Sequence, residues 1–112
     1  MAAYCPEKGE VVWLDLDPQA GHEQAGRRPV FVLSPKEYNL KTGLAMVCPV
    51  TNQIKNYPFE VLVPVGLKVK GAILSDHIKT LDWKARNSSK LCRLPNSVFE
   101  QVKENILALL GE

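Results

Sequence analysis

Glu10-Val-Val-Trp-Leu-Asp-Leu16 is the stretch whose reading decides the fold class. It is rich in β-forming residues, and from Val11 to Leu14 it is apolar at odd and even positions alike. Successive strand side chains point to opposite faces, so such a run describes a strand covered on both sides. Asp17-Pro18 ends it. Next comes the polar loop Gly21-His-Glu-Gln-Ala-Gly-Arg-Arg-Pro29, which runs straight into a second apolar strand, Val30 to Leu33. A loop of this kind, wet at its tip and anchored by a buried strand, is where functional side chains are commonly placed. Gly21 and Gly26 permit backbone angles that other residues resist. Pro29 biases Arg28 towards an extended conformation, at the point where loop becomes strand.

Further along, Ser34-Pro-Lys-Glu-Tyr38 reads as one short helical turn, with a serine cap and a proline at the first helical position. Asn39 to Gly43 is turn chemistry. Leu44 to Val50 is a third strand, which Pro49 places near an edge or a bulge. The polar loop Thr51 to Pro58 leads to a fourth strand, Phe59 to Val63, and Pro64 to Lys70 turns the chain. Gly71 to Trp83 is long and β-rich, with a bend expected near Lys79. Lys84 to Lys90 is a basic turn, and Leu91 to Leu94 is a short strand. Pro95 to Leu110 is the one extended helix: Val98, Phe99, Val102, Ile106, Leu109 and Leu110 recur at helical spacing, and Gly111 stops it. Short strands, frequent turn signals and a single closing helix predict a mainly β (α+β) fold, a small partly open barrel over residues 1–112 as one domain.

Composition narrows the function. The chain has 112 residues, 46% hydrophobic and 23% charged, with a net charge of +2, so any nucleic-acid role must come from local clustering. Cys5, Cys48 and Cys92 are odd in number, far apart and without metal-ligand spacing, which reads as reduced or buried thiols of a cytoplasmic protein. Cys48 lies within an apolar strand and reads as core rather than as a nucleophile. No signal-peptide pattern or run of ~18 apolar residues suggests export or membrane insertion. His22 and His77 make no ligand pair, so a metal cofactor is not expected. If Asp76 and His77 are neighbours on a strand, they point to opposite faces.

Basic residues do cluster. Lys79, Lys84, Arg86, Lys90 and Arg93 fall between positions 79 and 93 against Asp82 alone; Arg27, Arg28, Lys36, Lys41 and Lys55 are opposed only by Glu37. Tyr38, Tyr57 and Trp83 interleave with them as candidate exposed aromatics, a pattern suited to single-stranded nucleic acid.

Gly21-x-Glu23-Gln-Ala-Gly26-x-Arg28-Pro29, then Val32-Leu-Ser-Pro35, Tyr38-Asn39, Lys41-Thr-Gly43 and Pro49-x-Thr51, resembles the MazF/PemK family of toxin endoribonucleases. Tyr57-Pro-Phe-Glu-Val61, Asp76-x-Ile78-Lys79 and Trp83-x-Ala-Arg86 continue the resemblance across nearly the whole chain. It implies an SH3-like (CcdB/PemK-type) barrel with a C-terminal α-helix. It also implies a homodimer, metal-independent cleavage of single-stranded RNA, and inhibition by a MazE-like antitoxin within a type II toxin–antitoxin system. By resemblance Arg28 and Thr51 are catalytic, and Glu23 is a supporting acid. Arg27, Asn52, Gln53, Lys55, Lys79 and Arg86 would bind RNA, with the loop from Asn52 to Asn56 setting cleavage specificity. An alternative is a CcdB-like toxin that poisons DNA gyrase through an aromatic-bearing tail, although Ala108-Leu-Leu-Gly-Glu112 has no aromatic residue. A non-catalytic RNA-binding barrel is a third reading.

Overall fold

The computed structural model describes residues 4–16 and 26–112. Among these residues seven strands and two helices follow in the order β1 (Glu10–Leu16), β2 (Gly26–Val32), α1 (Lys36–Thr42), β3 (Leu44–Thr51), β4 (Glu60–Leu62), β5 (Ala72–Leu74), β6 (Lys79–Asp82), β7 (Ser89–Arg93) and α2 (Asn96–Leu109). Their spatial order is β4-β5-β3-β2-β1-β7, with β6 on a branch against β3. Every pairing among the described residues is antiparallel.

β1 is covered on both faces, as its composition requires. Val11 joins Phe31, Cys48, Val50, Val61 and Ile73 in a core that α2 closes with Val98 and Val102. Val12 and Leu14 join Val30, Val32, Val47 and Trp83 in a second core on the opposite face. Strands β1 and β4 lie far apart in the sheet order yet share the α2-side core. The sheet therefore curls into an open barrel-like form, which bears out the mainly β expectation.

Some local expectations need correction. β2 begins at Gly26, not Val30, so Arg27 and Arg28 sit on a strand paired with β1 instead of in a loop. The segment after Ser34 makes two full turns of helix, and Pro35 occupies its N-cap without a side-chain hydrogen bond. The Ser34 hydroxyl faces inward, accepting the Met46 N–H (2.8 Å) and donating to Asn39 Oδ1. Asn39, expected in a turn, is a fully buried helical residue. Its side-chain amide donates to the carbonyls of Pro6 (2.8 Å) and Ser34 (3.1 Å), and its main-chain carbonyl accepts the Trp83 indole N–H at 3.0 Å. Trp83 is therefore buried, not an exposed stacking platform, because its indole donor is satisfied inside the fold. The long segment from Gly71 to Trp83 breaks at Ser75–Ile78, before Lys79. β3 is an interior strand, in spite of Pro49. Its ladder to β6 ends at Val47 and its ladder to β5 starts at Val50, so on that side no pairing falls at Cys48 and Pro49.

Asn39 ties the N-terminal segment, α1 and Trp83 together. Asn39→Ala would strand the Pro6 and Ser34 carbonyls and open a small void, and should cost about 3 kcal/mol. Urea titration checks this; a loss under ~1 kcal/mol would contradict the bridging role.

Candidate active site

The polar groups gather where β2, β3 and β5 meet. The β2–β3 register runs Val32 to Val47, Phe31 to Cys48 and Val30 to Pro49. Continued two residues, it sets Arg28 opposite Thr51. Arg28 is also paired with Leu14 of β1, so its backbone is fixed on that side. Thr51 ends β3 and pairs with Ala72 of β5. Its Oγ1 accepts the N–H of Gln53 at 3.1 Å, which orients the hydroxyl and leaves its proton to donate elsewhere.

Three clefts adjoin along this edge. The first, about 390 Å³, brings Arg27, Arg28 and Asn52 together with Trp13, Lys68 and Lys70. The second, about 530 Å³, is lined by Thr51, Gln53, Lys55, Tyr57 and His77. The third, about 320 Å³, has an apolar floor that includes Val30, Val47 and Pro49, with Asp76, His77 and Lys79 on its wall. The consecutive residues Thr51 and Asn52 link the first cleft to the second, and His77 links the second to the third. Arg86 stands apart from all three, donating to the Asp15 carbonyl at 3.0 Å while its own carbonyl accepts the Asp15 N–H at 2.9 Å. Glu23 and His22 lie outside the described residues.

Asp15 organises the basic side of β1. Its carboxylate accepts from Asn87 (2.8 Å) and pairs with Arg27 (2.9 Å), whose guanidinium also donates to the Ser89 hydroxyl. The Asn87 hydrogen bond, followed by the one from Arg27, holds this carboxyl below the usual aspartate range. On the second cleft, Glu60 accepts the backbone N–H groups of Lys55 (3.1 Å) and Tyr57 (3.2 Å), so a single carboxylate folds the loop that carries Gln53 and Lys55. Tyr57 donates its hydroxyl to Asp76, which pushes the phenol's pKa up. Asp76 and His77 lie in the turn between β5 and β6, with Nε2 at 3.8 Å from Oδ1, so the strand rule that would set them on opposite faces does not apply. Cys48 is sealed in the core and its thiol is pushed up to about 12 by burial, which suits a packing residue. No cluster of three or more His, Cys, Asp or Glu suited to a metal ion occurs among the described residues.

Lys68, Lys70 and Trp13 were not singled out from sequence. Lys68 and Lys70 stand on either side of buried Val69 in the irregular segment between β4 and β5, where no periodicity marks the direction of their side chains. Trp13 was masked by its continuously apolar neighbours.

A small open barrel that gathers guanidinium, hydroxyl and ammonium groups along one edge defines a class of protein suited to a polyanionic strand. The family model described as "PemK-like, MazF-like toxin of type II toxin-antitoxin system" matches residues 7–110, and the chain belongs to that family. It is 40% identical to the endoribonuclease toxin MazF of Escherichia coli K12 over 111 residues, which is 99% of each chain. Its fold matches crystalline MazF from Deinococcus radiodurans with a TM-score of 0.93 at 49% identity, covering 98% of this chain and 100% of that one. A MazE–MazF crystal structure from the same organism matches at 0.89 and 50% identity, covering 97% and 98%.

The lowered Asp15 pKa fixes the sign of a pH effect. The stabilisation is present above the unfolded aspartate value, near pH ~3.9, and is lost as pH falls through the lower folded value. Asp15→Asn should therefore be less stable than wild type at pH 7, with the gap narrowing at an acid pH below the unfolded aspartate value. A gap of constant size in urea titrations at both pH values would contradict this.

Proposed function

We propose that this protein is the endoribonuclease toxin of a type II toxin–antitoxin pair, cutting single-stranded RNA at the edge shared by β2 and β3. The observation that carries the reading is the β2–β3 register, which, continued two residues beyond Val30–Pro49, sets Arg28 opposite Thr51, Arg28 in a cleft lined by Lys68 and Lys70 and Thr51 in the adjoining one lined by Lys55. Family membership supports it, and the Escherichia coli relative named above is an endoribonuclease toxin. The gyrase-poison alternative finds no such support. The chain acts as one domain, and a cytoplasmic location follows from its substrate; no helix among the described residues is long and apolar enough to cross a membrane.

In the reaction the ribose 2′-oxygen attacks the adjacent phosphorus. The new O2′–P bond forms as the P–O5′ bond breaks, the 2′-hydroxyl proton passes to a base, and the departing 5′-oxygen receives a proton. Charge builds on the non-bridging oxygens of the five-coordinate phosphorus. Arg28 supplies a planar fork of donors to those oxygens and stays charged throughout. The Thr51 proton, turned outward by the Gln53 N–H, donates to one of them. Arg28 is a poor proton acceptor, so the base is another group; Glu23, in the segment preceding β2, is the acid assigned to support the site. Asn52, Gln53, Lys55 and Lys79 line the track on either side of the scissile phosphate. Arg27 adds positive charge beside it, and Arg86, farther off on the barrel wall, holds the Asp15 backbone.

Arg28→Ala should lower single-turnover cleavage by roughly 10²-fold or more, and Thr51→Val should lose heavily with little change in fold. Arg28→Lys should recover only part of the rate, because an ammonium lacks the fork. Near wild-type cleavage by Arg28→Ala would overturn the assignment.

The working unit is a homodimer. β4 is an edge strand with Leu62 59% exposed, and the end of α2 leaves Leu107 and Leu110 uncovered, apolar surface that a second copy would bury. An acidic MazE-like antitoxin segment occupies the same basic edge as RNA. Sedimentation should give a dimer at micromolar concentration, and an acidic antitoxin peptide should displace a 2′-deoxy, uncleavable RNA analogue. A fully active monomer would rule out the dimer; simultaneous binding of both ligands would rule out the shared edge.

A further inference from the structure

Gly71 leads into β5 beside the end of β3, where Ala72 pairs with Thr51. Its φ is +114°, a conformation that L side chains rarely adopt. A Cβ built there would stand 1.9 Å from the Thr51 carbonyl oxygen, 2.8 Å from the Thr51 carbonyl carbon and 3.1 Å from Asn52 Cα. All three are backbone atoms, so no side-chain rotation relieves the clash. One of the two segments has to move. The β5 side is pinned: the Gly71 carbonyl accepts the Val63 N–H at 2.9 Å, and buried Ala72 is paired with both Leu62 and Thr51. The Thr51 side is the end of a strand leading into an exposed loop. A side chain at 71 would therefore push out the Thr51–Asn52 peptide and, with it, the Thr51–Gln53 turn that aims the hydroxyl.

We infer that Gly71 is a positioning residue for the Thr51 hydroxyl: its bare backbone packs against the Thr51 peptide and fixes the hydroxyl across from Arg28. The inference rests on the catalytic reading of Thr51 above. Gly71 touches no reacting atom and acts only through the Thr51 backbone.

The test is a double-substitution cycle read by single-turnover RNA cleavage, with binding of a 2′-deoxy analogue measured in parallel. Gly71→Ala should slow cleavage by roughly 10²-fold, the scale of a 1 Å misplacement, while the analogue's Kd changes less than about threefold. In a Thr51→Val background the same change should cost little more, because the group it misplaces is already gone. Equal losses in both backgrounds would overturn the inference, as would a wild-type rate for Gly71→Ala beside a strongly impaired Thr51→Val. Wild-type cleavage by Thr51→Val would instead remove the catalytic reading of Thr51, and the inference with it. Should Gly71→Ala fail to melt cooperatively, a synthetic chain with D-alanine at 71 carries the test, since its methyl replaces the other α-hydrogen, not the one directed at the Thr51 carbonyl, and positive φ suits it. That protein should cleave at close to the wild-type rate; a loss as large as that of Thr51→Val would overturn the inference.

Discussion

Pro49 has no N–H to offer a neighbouring strand, and the sheet asks for none on the side of β5 and β6. β3 hands over from β6 to β5 between Val47 and Val50, and the proline lies in that gap. Proline in mid-sheet normally removes a ladder hydrogen bond, which is why it is mostly confined to edges and bulges. Here it sits at a change of partner instead. The gap is crossed by the β5–β6 turn, whose Ser75 carbonyl accepts the Cys48 thiol at 3.8 Å. That turn carries Asp76 and His77 to the clefts. Two residues beyond the proline, the strand ends at Thr51, paired with Ala72 of β5. The route of the chain around one proline thus determines where the polar edge of the barrel forms.

The electrostatics of that edge are local. A net charge of +2 cannot by itself draw in a polyanion. Asp15 spends its two carboxylate oxygens on Arg27 and Asn87, and its backbone carbonyl on Arg86, so part of the positive charge is held in a fixed arrangement on the barrel wall. Lys55, Lys68 and Lys70, by contrast, line open clefts. The barrel thereby combines guanidinium groups held in place with flexible ammonium side chains that can follow a flexible strand.

The fold was legible where periodicity was strong. β1 came out over the residues its composition marked, and the closing helix differs from its expected bounds by one residue at each end. Legibility failed where tertiary contacts override local chemistry. Asn39 looks like a turn residue, yet two carbonyls and a serine hydroxyl satisfy its amide inside the core. Trp83 looks available for stacking, yet its indole N–H donates to the Asn39 main-chain carbonyl inside the fold. Arg28 stood out at the junction of loop and strand, but its catalytic role and its pairing with Thr51 were legible only through family resemblance, since nothing in a single sequence says that positions 23 residues apart come together. Lys68 and Lys70 were missed because a segment read as a turn conceals which way its side chains face.

The loop from Asn52 to Phe59 is folded through its main chain. Glu60 collects amide protons from Lys55 and Tyr57, and Asn56 takes a left-handed φ of 57°, which asparagine tolerates better than most residues. Few of the side chains between Asn52 and Lys55 hold the loop in shape. They are therefore open to exchange without refolding it: a lineage can rewrite what this edge recognises while Glu60, Asn56 and the barrel beneath stay unchanged. Scaffold and recognition surface are separable here because the backbone of the loop, and not its outward side chains, bears the structural constraint.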